Sequence, residues 1–207
     1  YHLYTMLMLK QKLIIGAAAL AATSFALAGG PGDFDAPSAP QQGIYVDANF
    51  GWAVNDFKPA ATSGLTEKSD SGFAANANLG YQFSENLAAE FGFFYLPDWK
   101  ANQADGDITN NYGYDLAVKG ILPFGGQFNA FAKLGVGLST AKVGSFVTEP
   151  QPGSHSGVAG FGALGLGWTP AAMPDLTLNV QGFAFTKANK LAGRYGVLGG
   201  VGYLFPM

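Results

Sequence analysis

Between Gly43 and Phe205 the chain holds eight stretches in which apolar residues alternate with small or polar ones, and the segments joining them are alternately short and long. A period of two identifies strands. In the first stretch Ile44, Val46, Ala48, Phe50, Trp52 and Val54 share one face, and Tyr45, Asp47, Asn49, Gly51 and Ala53 share the other. The second puts Phe73, Ala75, Ala77, Leu79, Tyr81 and Phe83 opposite Gly72, Ala74, Asn76, Asn78, Gly80 and Gln82. The remaining strands are expected at 86–96, 111–122, 127–141, 157–168, 176–186 and 194–205. The sixth has the weakest pattern, because five of its twelve residues (157, 160, 162, 165, 167) are glycines, tolerated in strands mainly where a barrel bends or needs interior room.

Strands of this length fit a membrane. A spanning β-segment needs only ~9–11 residues, and the sheet must close on itself so that no backbone polar group meets lipid. The connections expected are 55–71, 84–85, 97–110, 123–126, 142–156, 169–175 and 187–193. Outer-membrane barrels have short periplasmic turns and longer outside loops. The short set and both chain ends are therefore expected on the periplasmic side. The long connections carry Lys58, Glu67, Lys68, Asp70, Asp98, Lys100, Asp105, Asp107, Lys142, Glu149, Lys187 and Lys190, as a solvated surface would. The expected fold is all-β, an eight-stranded antiparallel up-and-down transmembrane β-barrel over residues 43–205.

Alternation alone also describes a soluble lipocalin-type barrel, whose apolar face turns inward around a ligand. Composition separates the two. Charged residues make up 12% of the chain, against ~25% in ordinary soluble domains. The polar face is mostly Gly, Ala and Asn, which suits a narrow lumen filled by side chains better than a surface in water.

The amino terminus points to export. Lys10 and Lys12 precede the apolar run Leu13 to Phe25, and Ala26-Leu27-Ala28 supplies small residues at a cleavage site. The run is shorter than the ~17–25 residues of a spanning helix. Residues 1–28 are thus expected to be a signal peptide cleaved after Ala28, with any residues before Met6 or Met8 untranslated flank. Residues 29–42, with three prolines and two aspartates, read as a flexible periplasmic lead-in. The mature chain carries a formal charge of −5, from nine basic and fourteen acidic residues. Nothing basic invites nucleic acid. The absence of cysteine removes disulfide and thiolate-metal chemistry.

At the carboxyl end Gly200-Val201-Gly202-Tyr203-Leu204-Phe205 places a glycine three residues before one aromatic and five before another. This resembles the assembly signal on the last strand of bacterial outer-membrane barrels. Together with Gly80-Tyr81-Gln82-Phe83, Lys119-Gly120-Ile121-Leu122-Pro123 and Lys133-Leu134-Gly135-Val136-Gly137, the chain resembles the small OmpA-like outer-membrane β-barrel family over residues 43–205. The resemblance implies that Gly200, Tyr203 and Phe205 are read by the barrel-assembly machinery. It also implies lumen salt bridges and at most a small channel. Pro206 and Met207 depart from the pattern by following the terminal aromatic, and Pro206 is expected to sit past the final strand.

Two further constellations follow from strand direction. Tyr81, Phe83, Phe128, Trp168, Tyr203 and Phe205 are expected at the periplasmic rim, and Trp52, Phe73, Tyr95, Tyr114 and Tyr195 at the outer rim, as two aromatic girdles. Asp47, Glu90, Asp115, Lys119 and Lys133 fall on inward positions, where opposite charges are expected to pair. Such a cluster is either a polar plug or a gate in a narrow ion path.

Catalysis has little support. Ser154-His155-Ser156, in the third long connection, is the place to look, but its histidine and serines are adjacent rather than spaced to meet on one strand face. A single histidine after the signal peptide, with no cysteine, argues against a transition-metal site, and no cofactor is implied. The expected protein is a monomeric, non-enzymatic outer-membrane barrel of a Gram-negative bacterium, serving envelope integrity or surface contact through its loops. Its expected partners are outer-membrane lipid and lipopolysaccharide, the assembly machinery during insertion, and a host or surface ligand at the loops. The alternatives are a small porin or conduit for hydrophobic compounds, and a lipid-modifying enzyme.

Overall fold

The structure, a computed structural model, describes residues 42–56, 67–98, 100–101, 108–143, 153–186 and 193–207. The expected signal peptide, the lead-in up to residue 41 and the middle of each long connection lie outside the described residues. The described residues form ten strands: β1 (Gly43–Asp56), β2 (Glu67–Ser69), β3 (Ser71–Ser84), β4 (Leu87–Tyr95), β5 (Lys100–Ala101), β6 (Ile108–Phe124), β7 (Phe128–Val143), β8 (Gly153–Trp168), β9 (Leu176–Phe185) and β10 (Gly193–Pro206). Eight of them close a barrel in the order β1-β10-β9-β8-β7-β6-β4-β3, every neighbour antiparallel. Among the described residues no helix is long and apolar enough to cross a membrane. The wall crosses with strands instead.

Burial alternates along each strand, and its sense decides between the two barrel types. Phe50, Trp52, Leu116, Val136, Val158, Leu164 and Val197 are exposed on the outside. Asp47, Asn49, Asn76, Asn78, Glu90, Asp115 and Lys133 are buried inside. A continuous apolar exterior around a polar interior is unstable in water and stable in lipid. The outward aromatics gather at the two ends. Trp52, Phe73, Tyr95, Tyr114 and Tyr195 are exposed toward the long connections, and Phe83, Phe128, Trp168, Tyr203 and Phe205 toward the short turns.

Several connections are shorter than the alternation suggests. Strands β7 and β8 stay paired up to Val143↔Gly153, so most of the flanks expected in the loop 142–156 are ladder. A hydroxyl pair helps to hold this extension, with Thr140 Oγ1 and Ser156 Oγ 2.9 Å apart. Strand β6 likewise begins at Ile108, and its far end runs through Pro123 to Phe124 before the turn at Gly125 and Gly126, both with positive φ. The first two long connections are joined by a two-stranded sheet of β2 and β5, which alternation could not show in segments of three and two residues. Pro206 is not past the last strand. It is the final residue of β10, opposite Gly43, where the next donor is Met207 N to Gln42 O at 3.0 Å.

Candidate functional site: a filled lumen

In the strand order, β1 stands opposite β7, β4 opposite β9 and β10 opposite β6. Inward side chains meet across the lumen at three heights. Nearest the short turns, Glu90 on β4 binds two lysines, with Lys119 Nζ 3.2 Å from Oε1 and Lys133 Nζ 2.6 Å from Oε2. Tyr45 on β1 donates its hydroxyl to Glu90 Oε1 at 2.5 Å. Phe131 completes the tier. Lys119 Nζ lies 4.8 Å from its ring centroid and 4.9 Å from that of Tyr45. Small residues make this possible. A Cβ at Gly80 would enter the Tyr45 ring, and one at Gly165 would strike Phe131.

The two lysines converge because Lys119 and Lys133 are direct cross-strand partners, while Glu90 is level with Ala117, two residues further up β6. That geometry corrects the expectation that every lumen charge pairs with its opposite. Asp115 lies four residues above Lys119, ~13 Å along the strand, and makes no salt bridge among the described residues. Asp47 is held by amides instead: Asn49 Nδ2 and Asn78 Nδ2 each donate to its Oδ1 at 2.6 Å. Asn49 also donates to Asn76 Oδ1 at 2.8 Å. The five expected residues thus divide into a Glu90-lysine cluster and an aspartate-amide row.

Next toward the long connections is an aromatic plug. Phe94 of β4 reaches across the barrel to Phe183 and Phe185 of β9, at centroid separations of 5.3 and 5.1 Å, and to Phe161 of β8 at 5.4 Å. Phe161 and Phe185 are 4.9 Å apart. Leu96, Leu198 and the alanines 53, 74, 117, 141, 159 and 163 pack with them as one buried cluster. Contacts between opposite walls close the lumen at this height.

The third tier is built on Arg194 of β10, only 4% exposed. Its Nη2 donates to Asn111 Oδ1 on the opposite strand β6 at 2.8 Å, Nε to Asn55 Oδ1 at 3.1 Å, and Nη1 to Ser139 Oγ. Asn55 and Asn111 then donate to the Pro97 carbonyl at 2.7 and 2.8 Å. The guanidinium, a rigid fork of donors, is fixed by oxygens from three other strands.

Arg194 and the plug phenylalanines were not among the expected site residues. A signal for Arg194 existed, since it shares parity with Gly196 and Leu198 against the outward Tyr195 and Val197. Strand β8 gives a different lesson. Ser154-His155-Ser156 is strand rather than loop, so both serines face outward while His155 sits on the other face. Gly200, Tyr203 and Phe205 lie in β10, opposite Asn49, Val46 and Ile44, on the seam where the last strand meets the first.

A closed eight-stranded up-and-down barrel with a lipid-facing exterior and a lumen filled by polar tiers on either side of an aromatic plug is a small outer-membrane β-barrel protein. The sequence matches the OmpA-like transmembrane domain over residues 39–192. The chain belongs to the OmpA-like family, and with it to the bacterial outer membrane. Similar solved structures include Neisserial surface protein A (16% identity, TM-score 0.53, 78% of this chain and 97% of that one). OprG of Pseudomonas aeruginosa is another (13%, 0.58, 83% and 100%), as is Ail of Yersinia pestis bound to the heparin analogue sucrose octasulfate (15%, 0.50, 81% and 100%). At these identities the likeness concerns the fold. No curated protein sequence matches the chain.

Proposed function

We propose that this barrel is a non-enzymatic surface protein that does not conduct, and that it serves envelope integrity or contact with other surfaces through its long connections. The observation that carries this reading is that side chains from opposite walls meet at three heights: Tyr45 and Lys133 through Glu90, Phe94 with Phe185, and Arg194 with Asn111. An eight-stranded barrel is only about wide enough to be filled by side chains. Here three tiers of such contacts among the described residues cross the lumen. The alternative of a small porin requires at least the phenylalanines to leave the axis.

Placement of the only serine-histidine group supports the absence of catalysis. Ser154 and Ser156 point away from the face that carries His155, so the tripeptide does not by itself bring a nucleophile to a base. Surface contact has a parallel in form: one similar barrel, Ail, is called an attachment invasion locus protein and was solved with a heparin analogue. In this reading the chain is exported with cleavage after Ala28, inserted by the barrel-assembly machinery as a monomer, and surrounded by lipid and lipopolysaccharide.

Reconstitution into planar bilayers tests the central point. Wild-type protein should give no stepwise conductance. Sustained open-channel currents from a homogeneous, folded preparation would replace this reading with the porin.

A further inference from the structure

Strand β4 leaves the barrel wall early. Its last paired residue, Tyr95, points outward, while the neighbouring strands continue past it, β3 to Ser71 and β6 to Ile108. A strand that kept its alternation would then put Leu96 inside and Pro97 outside. Here both are buried, and Leu96 packs among the plug residues. The chain has turned inward over the plug instead of rising with the wall. A Cβ on Gly72 would lie 3.1 Å from Pro97 Cβ, so glycine on β3 leaves the room for this turn.

The turn is held by groups that Arg194 controls at one remove. Leu96 N donates to the Asn111 carbonyl at 2.9 Å. The Pro97 carbonyl accepts from Asn55 Nδ2 on β1 and Asn111 Nδ2 on β6, at 2.7 and 2.8 Å. A side-chain amide keeps such a donor aimed when its oxygen is engaged on the other side. Both oxygens are bound by the Arg194 guanidinium, and a third bond, to Ser139 Oγ on β7, keeps the fork from rotating. Past Pro97 the chain enters β5, which pairs with β2 of the first long connection. Asn55 N donates to the Asp70 carbonyl at 2.8 Å, which ties the two ends of that first connection together.

We propose that Leu96-Pro97 is a strap across the outer mouth, latched by Arg194 through Asn55 and Asn111, and that the latch sets the first two long connections, joined by β2 and β5, as one platform. Arg194 is a positioning residue on the last strand of the chain, so the platform is fixed only in the closed barrel. The latch goes beyond the surface-contact reading and holds whether or not the connections bind a partner. It calls for arginine, because a planar fork meets oxygens from three strands at once and a compact ammonium on a flexible stem does not.

The test is hydrogen exchange on the full mature barrel refolded in detergent, read by mass spectrometry in peptides that contain Leu96 and, as reference, in the seam residues 199–205. Arg194→Met and Arg194→Lys should each speed exchange around Leu96 by about tenfold or more and leave the seam unchanged. Trypsin should then cut after the exposed Lys100 faster than in wild type. Ser139→Ala takes one oxygen from the fork while Asn55 and Asn111 stay in place. It should act in the same direction to a smaller extent, and it keeps the test decisive where Arg194→Met does not fold. Lys142→Met, at an exposed cation outside the network, should change nothing. Unchanged exchange around Leu96 in the Arg194 and Ser139 variants would overturn the proposal. So would equal acceleration of strap and seam, since Arg194 would then brace the whole barrel rather than hold the strap.

Discussion

Phe94 and Phe185 meet edge to face with centroids 5.1 Å apart, although their strands, β4 and β9, are on opposite walls of the barrel. Such a contact fixes the barrel's diameter from inside. The wall is held by backbone ladders, and the plug determines whether those ladders can shear or flatten. A Cβ on Gly137 would collide with Phe185, so glycine on one strand and phenylalanine on another fill one space.

Phe94→Ala should therefore cost more than a surface change on the same strand. Truncating a buried phenylalanine typically costs ~3–5 kcal/mol, part of it from the cavity left behind. The urea midpoint of the refolded protein should fall accordingly, whereas Phe93→Ala, on the lipid face, should cost less. Equal effects from the two would mean that the plug does not brace the wall.

The Glu90 cluster predicts coupling that is selective in space. Lys133→Met leaves Glu90 with one lysine and should destabilise by ~3–5 kcal/mol, as removing one partner of a buried pair does. Combining it with Glu90→Gln should return part of that loss, with a coupling energy of ~0.5–3 kcal/mol. Lys119→Met should couple to Glu90→Gln in the same way. It should be nearly additive with Asp115→Asn, because those side chains do not meet. Strong coupling between Lys119 and Asp115 would place the carboxylate in the wrong cluster.

Legibility in the sequence tracked how different the two faces of each strand are. In β1, Tyr45, Asp47 and Asn49 alternate with Val46, Ala48 and Phe50, and the inward set up to Ala53 could be read residue by residue, whereas Asn55, expected in the connection, is a further inward residue of the strand. In β8 and β9 both faces are apolar, with Phe161, Phe183 and Phe185 inside against Leu164, Leu166 and Val180 outside. Periodicity carries no sign there, and the plug was invisible. Charge pairing failed for another reason. Which lysine meets which carboxylate depends on the stagger between strands, and Asp115 and Lys119 share a face without sharing a height. Strand ends were misplaced where pairing persists beyond the apolar band, as between Val143 and Gly153.

Topology can be checked on whole cells. The connections containing Ser63 and Ala104 alternate with the short turns and should lie outside. Cysteine placed at either position should react with an impermeant maleimide. Glu85, exposed at the turn between β3 and β4, should react only after lysis. It is a better control than Gly125, whose positive φ makes any side chain strained. Labelling of the Glu85 position on intact cells would invert the orientation.

Assembly depends on the seam between the last strand and the first. Tyr203 stands opposite Val46 and Phe205 opposite Ile44, with both aromatics outward and their centroids 4.8 Å apart. Deleting Tyr203 to Met207 removes that end of the ladder and opens β1 from Gly43 to Val46. Each unsatisfied backbone group in lipid costs several kcal/mol. The shortened chain should be exported and then degraded or aggregated before insertion, as shown by its absence from the outer-membrane fraction. Removing only Pro206 and Met207 gives up the Met207 to Gln42 bond and the pairing of Gly43, and leaves both aromatics in place. That variant should insert at near-normal levels. Normal insertion of the five-residue deletion would show that Tyr203 and Phe205 are dispensable, and that the barrel is recognised and closed without its terminal aromatics.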